Sequence, residues 1–189
     1  MIASPNQPYL TSAQYLQMEE QSNIKYEYVD GQILAMAGAS DAHVTIAGNL
    51  FTLLRSHVRG SGCRVYISDM KVRIESLNRF YYPDVMVTCD PNDQETSTYK
   101  RFPTLIIEVL SESTEAFDRG DKFADYQEIT SLREYVLIST KRKRVDCFRR
   151  GEQGLWVLQS YRPDGTSFRL NSVDFEEEIA GLYEDVTLG

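Results

Sequence analysis

The sequence predicts an α/β domain built on a mixed β-sheet, and three observations carry that prediction. A long amphipathic helix, Asp41 to about Val58, precedes a series of strand-like runs. Two of those runs, YYPDVMVT and TLIIEVL, are almost continuously apolar, the pattern of strands covered on both faces. A second helical stretch, DRGDKFADYQEI, then leads into another buried strand, EYVLIS. Helix, three strands, helix, strand is an order that layers into an α/β fold.

The elements follow one another with short connections and no internal repeat or low-complexity tract. TSAQYLQMEE, Thr11 to Glu20, reads as a short helix capped by Thr11 or Ser12. IKYEYVDGQILAMA alternates apolar with polar residues around Asp30-Gly31, which is hairpin chemistry. Ser40 caps the long helix, whose stripe is formed by Val44, Ala47, Phe51, Leu54 and Val58 at spacings of three and four, widened by Ile46, Leu50 and Leu53. Gly60 and Gly62 end it. Strands are expected at Cys63 to Ile74, bent at Ser68-Asp69, at Tyr81 to Thr88 and at Thr104 to Leu110. Asp118 to Ile129 reads as a helix and Glu134 to Ser139 as a buried strand. Val145 to Phe148 and Leu155 to Tyr161 read as further strands, and Phe175 to Tyr183 as a closing helix with an acidic face.

The chain has 189 residues, 42% of them hydrophobic, which suits a single domain over 1–189 with its core at about 40–140. No stretch approaches the roughly 18 consecutive apolar residues of a membrane span. The opening MIASPNQPYLTSAQYLQ has no basic start followed by an apolar run, so a soluble, cytoplasmic protein without a membrane partner is expected. Cys63, Cys89 and Cys147 form no CxxC pair and are odd in number, which argues against a disulfide framework and a zinc site; they read as reduced, small apolar residues. The net charge of −8 runs against nonspecific nucleic-acid binding, which is driven by neutralising phosphates and releasing counterions. Such a chain must concentrate its cations locally, bind through metal ions, or leave nucleic acid alone.

Two acids stand where acids are expensive. Asp84 in YYPDVMV and Glu108 in LIIEVLS interrupt runs that otherwise read as buried. An unpaired buried carboxylate costs several kcal/mol or stays protonated, and two on neighbouring strands repel unless a cation lies between them. A divalent ion with oxygen ligands, Mg²⁺ or Mn²⁺, answers that need. The competing reading places each acid at a strand end, solvated or paired with an arginine. Lys122 follows on the next helix, with Tyr126 four residues later on the same face. It is a candidate to stabilise charge at a phosphate, or else a surface lysine paired with Asp118.

Pro83-Asp84, then Glu108 in IIEVLS, then Lys122 resemble the PD-(D/E)xK nuclease signature, and the element order is similar to that superfamily's restriction-endonuclease-like core. More closely, the chain resembles the bacterial Uma-two family of restriction endonuclease-like proteins. The matching stretches are KYEYVDGQI, the His43 helix, the Asp69 strand, YYPDVMV, PTLIIEVLSEST, DRGDKFADYQEI and REYVLI. The resemblance spans roughly Leu10 to Leu188. Leu110 stands two residues after the second acid, where the general signature has its lysine; in the Uma-two type that lysine is expected on the following helix, and Lys122 fits.

The resemblance implies Asp84 and Glu108 as metal ligands, Lys122 as the catalytic lysine, and Glu27 as a metal-binding or lysine-positioning acid. It implies a Mg²⁺- or Mn²⁺-dependent endonuclease acting on nucleic acid, DNA foremost, and a homodimer. Glu27 in its hairpin could equally pair with Lys25 or face water. Asp69 and His43 are second-rank candidates beside Tyr126: Asp69 as a strand-end acid bonding a turn, His43 as a ligand or as a core or capping residue. The run KRKRVDCFRR includes Lys141, Arg142, Lys143 and Arg144, which could bind phosphate or simply protect a hairpin turn. Two alternatives stand beside catalysis: an inactive nuclease-fold binding or assembly module, and a structural homo-oligomer with no nucleic-acid role.

Overall fold

The computed structural model describes residues 9–165 and 167–188. The first part of the opening segment, residues 1–8, therefore lies outside the described residues, and with it part of the expectation of no secretory leader. Helix α1 (Ser12–Gln21) is capped by Thr11, whose hydroxyl accepts the Gln14 N–H while the Gln14 side chain returns to the Thr11 N–H. Strands β1 (Tyr26–Val29) and β2 (Gln32–Ala35) form the expected hairpin. Its turn holds Asp30 and Gly31 at φ 41° and 92°, the paired positive values that match strand twist and that glycine tolerates best.

Helix α2 (Asp41–His57) is capped by Ser40. Beyond it run β3 (Arg64–Ile67), β4 (Lys71–Ile74), β5 (Arg79–Tyr81), β6 (Val85–Thr88), β7 (Tyr99–Lys100) and β8 (Pro103–Leu110). Helices α3 (Glu115–Arg119) and α4 (Asp121–Tyr126) precede β9 (Glu134–Ser139), β10 (Val145–Arg150) and β11 (Trp156–Tyr161). The chain closes with β12 (Ser167–Leu170), β13 (Phe175–Glu178) and α5 (Ile179–Leu182).

Three sheets result among the described residues: β11-β10-β9-β8-β6-β3, β2-β1-β5-β4-β7, and the ribbon β12-β13. The first is mixed, with β8 and β9 parallel across the α3–α4 crossover and the other pairs antiparallel. Its faces explain the unbroken apolar runs. Val85, Val87, Ile107 and Val109 meet Ile46, Leu50 and Leu54 of α2 on one side. Met86, Ile106 and Leu110 meet Phe123 and Tyr126 of α4 on the other.

Several expected elements are broken or replaced. The run from Cys63 splits at the expected bend, with Ser68 at φ 46°, so that β3 and β4 belong to different sheets. YYPDVMVT also divides: β5 stops at Tyr81 and β6 starts at Val85 in the other sheet, because Pro83 supplies no ladder N–H. Asp84 is therefore in a crossover between sheets rather than inside a strand. The expected helix from Asp118 is two short helices meeting at Gly120. Phe175 to Tyr183 begins as strand β13, whose pairing with β12 overrides the helical preference of its three glutamates. Val44, assigned above to the apolar stripe, is exposed, whereas Ile46 is buried as expected and Ala42 is buried with it. Cys63 and Cys89 form a disulfide, contrary to expectation. The antiparallel β3–β6 register pairs Arg64 with Thr88 and so brings the flanking cysteines together. Cys147 is the buried free thiol among the described residues, its pKa pushed up to about 12 by burial.

Candidate active site

The site forms where the two larger sheets exchange chain. Strand β8 carries Ile106, Glu108 and Leu110 on its α4 face by simple alternation, so Glu108 points among apolar neighbours and is buried. Strand β6 begins at Val85, opposite Ile107, and β8 continues past that point. The Val109 N–H left beyond the ladder is taken by Asp84 Oδ2 at 2.7 Å. Glu108 Oε2 in turn accepts the Asp84 N–H at 3.4 Å. The two acids are thus locked together through each other's backbones.

Lys122, on α4, is buried rather than exposed. Its Nζ lies 3.0 Å from Glu108 Oε1, 3.1 Å from Glu27 Oε1 and 3.8 Å from Asp118 Oδ1, so the expected Asp118 partner is the most distant of three. Glu27 faces inward from β1 and also accepts the Tyr82 N–H, in place of the Lys25 pairing weighed above. The Tyr126 hydroxyl donates to Glu108 Oε1 at 2.9 Å, which holds that oxygen toward Lys122. His43, in the first turn of α2, brings Nε2 to 2.9 Å from Asp84 Oδ1, while its Nδ1 is buried with no partner.

The charge balance is the decisive property of this cluster. Glu27, Asp84, Glu108 and Asp118 surround Lys122 and His43, so ionising all four acids leaves two negative charges uncompensated even with His43 protonated. Burial raises the Glu108 pKa well above the carboxylate range; Lys122 opposes the rise, and Asp84 and Asp118 add to it. Burial also raises Asp118. Burial disfavours the charged form of Lys122, but Glu108, Glu27 and Asp118 outweigh it and hold the ammonium protonated. For His43 burial is likewise outweighed, here by Asp84, and its pKa is raised. Like charges crowded in a buried site repel strongly, and a bound cation would relieve that repulsion.

The donor set fits Mg²⁺ or Mn²⁺. These ions take oxygen ligands and bind through one or two carboxylates, completing their shell with water and phosphate. Asp84 and Glu108 offer adjacent carboxylates on a rigid strand and its crossover, at a cavity of about 440 Å³ that also reaches Glu27, Asp118 and Lys122. Among the described residues no ready-made group of three or more His, Cys, Asp or Glu ligands converges on one point, so water and substrate would have to supply the remaining positions.

Other candidates lie elsewhere. Asp69 is exposed in the β3–β4 bend and does not line the cavity. Lys141, Arg142 and Lys143 are exposed in the β9–β10 turn, and Arg144 is held by Asp146 at 2.7 Å; none of the four reaches the cavity. Conversely, Asp118 belongs to the cluster although the sequence suggests it only as a surface partner, and the Ser111–Thr114 hydroxyl pair at 2.9 Å lines the cavity with no sequence signal beyond its place after β8.

Comparison with known proteins gives the family and the fold. The family model Uma2, described as "Putative restriction endonuclease", matches residues 12–180. The uncharacterised Synechocystis sp. protein slr1290 is 41% identical over 165 residues, which is 86% of this chain and 87% of that protein. Protein sll1609 of the same organism, also uncharacterised, is 38% identical over 154 residues, 79% of this chain and 85% of that protein. A crystal structure described as a putative nuclease belonging to DUF820, from Anabaena variabilis ATCC 29413, superposes with a TM-score of 0.75 at 16% identity, covering 94% of this chain and 99% of that one. At that identity the likeness establishes the fold.

Proposed function

We propose that this chain, which belongs to the Uma2 family, is a metal-dependent endonuclease that hydrolyses nucleic-acid phosphodiesters, DNA foremost. The observation that carries the reading is the surplus of buried negative charge around Lys122 at an open cavity. Asp84 and Glu108 would hold Mg²⁺ or Mn²⁺, which when bound supplies a polarised scissile phosphate and a more acidic water. Lys122 presents its ammonium toward developing phosphate charge, held in place by Glu27 and Asp118. Tyr126 orients Glu108, and His43 orients Asp84.

The first test is titration calorimetry of Mg²⁺ or Mn²⁺ into wild type and the Asp84→Ala/Glu108→Ala double variant. Binding by wild type alone supports the carboxylate site; no binding by folded wild type, with or without an oligonucleotide present, removes it. Cleavage assays of Asp84→Ala and Lys122→Ala then assign the residues, since unchanged activity in either would exclude that residue. The homodimer expected of the family is checked by sedimentation velocity. A second reading, an inactive binding module, is favoured by the net charge of −8 and by a cavity lining that holds no arginine and, apart from Lys122, no lysine. Metal-independent retention of an oligonucleotide without cleavage would select it.

No helix among the described residues is long and apolar enough to cross a membrane.

A further inference from the structure

The cavity has two unlike walls. One is the acid–lysine cluster. The other is the β2–α2 connection and the start of α2, where Met36, Ala37, Gly38, Ala39 and Val44 present small or apolar groups. Val44 is 59% and Met36 40% exposed, and both line the same cavity as the acids. A second exposed apolar group, Leu155, Val157 and Leu158, is at the edge strand β11 and does not line this cavity. Gly38 has open space where a side chain would stand, which leaves the wall accessible to a flat group. Val44 also follows His43, the residue bonded to Asp84, so this wall adjoins one of the two acids expected to face the scissile phosphate.

From this juxtaposition we propose that the Met36–Val44 wall receives the unstacked base next to the scissile phosphate, making single-stranded or locally unpaired nucleic acid the preferred substrate. The inference rests on the phosphodiesterase reading and deepens it. In a duplex the base faces are hidden in the stack, and a protein meets chiefly phosphates and groove edges. Gripping that surface requires lysines and arginines that release counterions. Lys122 is the one such residue in the lining, and it is already held by three carboxylates. An unpaired nucleotide instead offers a base face, which enzymes acting on unstacked nucleotides hold against aromatic or apolar side chains, and it costs least to unstack when it is already unpaired. The scarcity of cations and the apolar wall both favour the unpaired form.

The test compares cleavage of one labelled oligonucleotide sequence as a single strand, as a blunt duplex, and as a duplex with one unpaired nucleotide, in Mg²⁺ and in Mn²⁺. Wild type is expected to cut the single strand and the unpaired site at least about tenfold faster than the blunt duplex, the order of effect one lost base contact produces. Met36→Ser/Val44→Ser should lower kcat/KM on the single strand by about tenfold, mainly through KM. Val44→Phe should lower KM on the same strand by enlarging the apolar face. Equal or faster cutting of the duplex by wild type overturns the inference while leaving the phosphodiesterase reading intact. So does a double variant with unchanged single-strand KM, including one in which only a sedimentation-detected dimer is lost, which would assign the wall to a second copy. Absence of cleavage on every substrate by folded wild type removes the phosphodiesterase reading, and this inference with it.

Discussion

Two groups of buried charges lie on this fold, and they are built by opposite rules. At the cavity, four carboxylates surround Lys122 and His43. On β9 and β10, Glu134 and Asp146 are at least as buried, but each is saturated. Glu134 accepts Arg149 Nε at 2.7 Å and the N–H groups of Asn171 at 3.0 Å and Ser172 at 2.7 Å. Asp146 accepts Arg144 Nε at 2.7 Å, Ser160 Oγ at 2.6 Å and Arg119 Nη1 at 3.1 Å. The pKa directions diverge accordingly. Burial dominates at Glu108 and raises it, whereas at Asp146 burial is overcome by Ser160, Arg144 and Arg119, and the pKa falls. Burial of an acid is therefore a poor sign of function by itself. What distinguishes the cavity cluster is charge left uncompensated beside open space.

The sharpest way to break the comparison is through activity. Asp84→Ala and Lys122→Met should each lower kcat by at least about 100-fold, the scale of removing one preorganised charge stabiliser, while Arg149→Lys leaves it within about twofold. A comparable loss in Arg149→Lys would abolish the distinction. Stability should order the groups the other way. Arg144→Ala strips one of the two cations from Asp146, leaving Arg119 and Ser160, and should cost about 3 kcal/mol by denaturant titration. Glu108→Gln removes surplus charge and should be neutral or stabilising by about 1 kcal/mol while losing metal binding, a trade of stability against function. A smaller effect is metal-linked. Saturating Mg²⁺ at about 100 times its Kd should add about 2.7 kcal/mol to wild-type stability and nothing to Asp84→Ala/Glu108→Ala.

The smallest effect concerns pH. The folded pKa of Asp146 is depressed, so its contribution is fully present above the unfolded aspartate value near 3.9 and is lost as pH falls through the lower folded value. Glu108 has the opposite sign: its folded pKa is raised, so the penalty of ionising it grows as pH rises above the unfolded glutamate value near 4.3. Urea midpoints between pH 3 and pH 6 should therefore lose their acid-limb steepness in Asp146→Asn and their drag on stability at the upper end in Glu108→Gln. Superimposable profiles for the two variants would contradict the assignment.

The sequence showed the main sheet and most of the site because both rest on local patterns. Nearly continuous apolar runs mark β6 and β8, with Glu108 inside β8 and Asp84 just ahead of β6, and Ser40, Asp30 and Gly31 announce a cap and a turn. The resemblance placed Glu27 and Lys122 as candidates, and the structure gives them a shared contact. Long-range register was not legible. Nothing local tells that β5 leaves the run that continues as β6, that Cys63 and Cys89 flank paired strands, or that Glu176 to Glu178 follow a β12 partner. The place of His43 was left open and Val44 was misplaced for one reason. Periodicity shows that a helix has an apolar face, but not that its first turn overhangs a cavity.

The contacts of Lys122 have a kinetic consequence. Glu27 comes from β1, Glu108 from β8, and Asp118 and Lys122 from the crossover helices, so the ammonium is neutralised only after segments far apart in the chain have docked. Such non-local closure comes slowly and late. A collapsed intermediate can hold the β9–β10 hairpin while lacking any catalytic arrangement. During refolding, recovery of cleavage should therefore lag recovery of strand signal, and the lag times the docking of the two sheets.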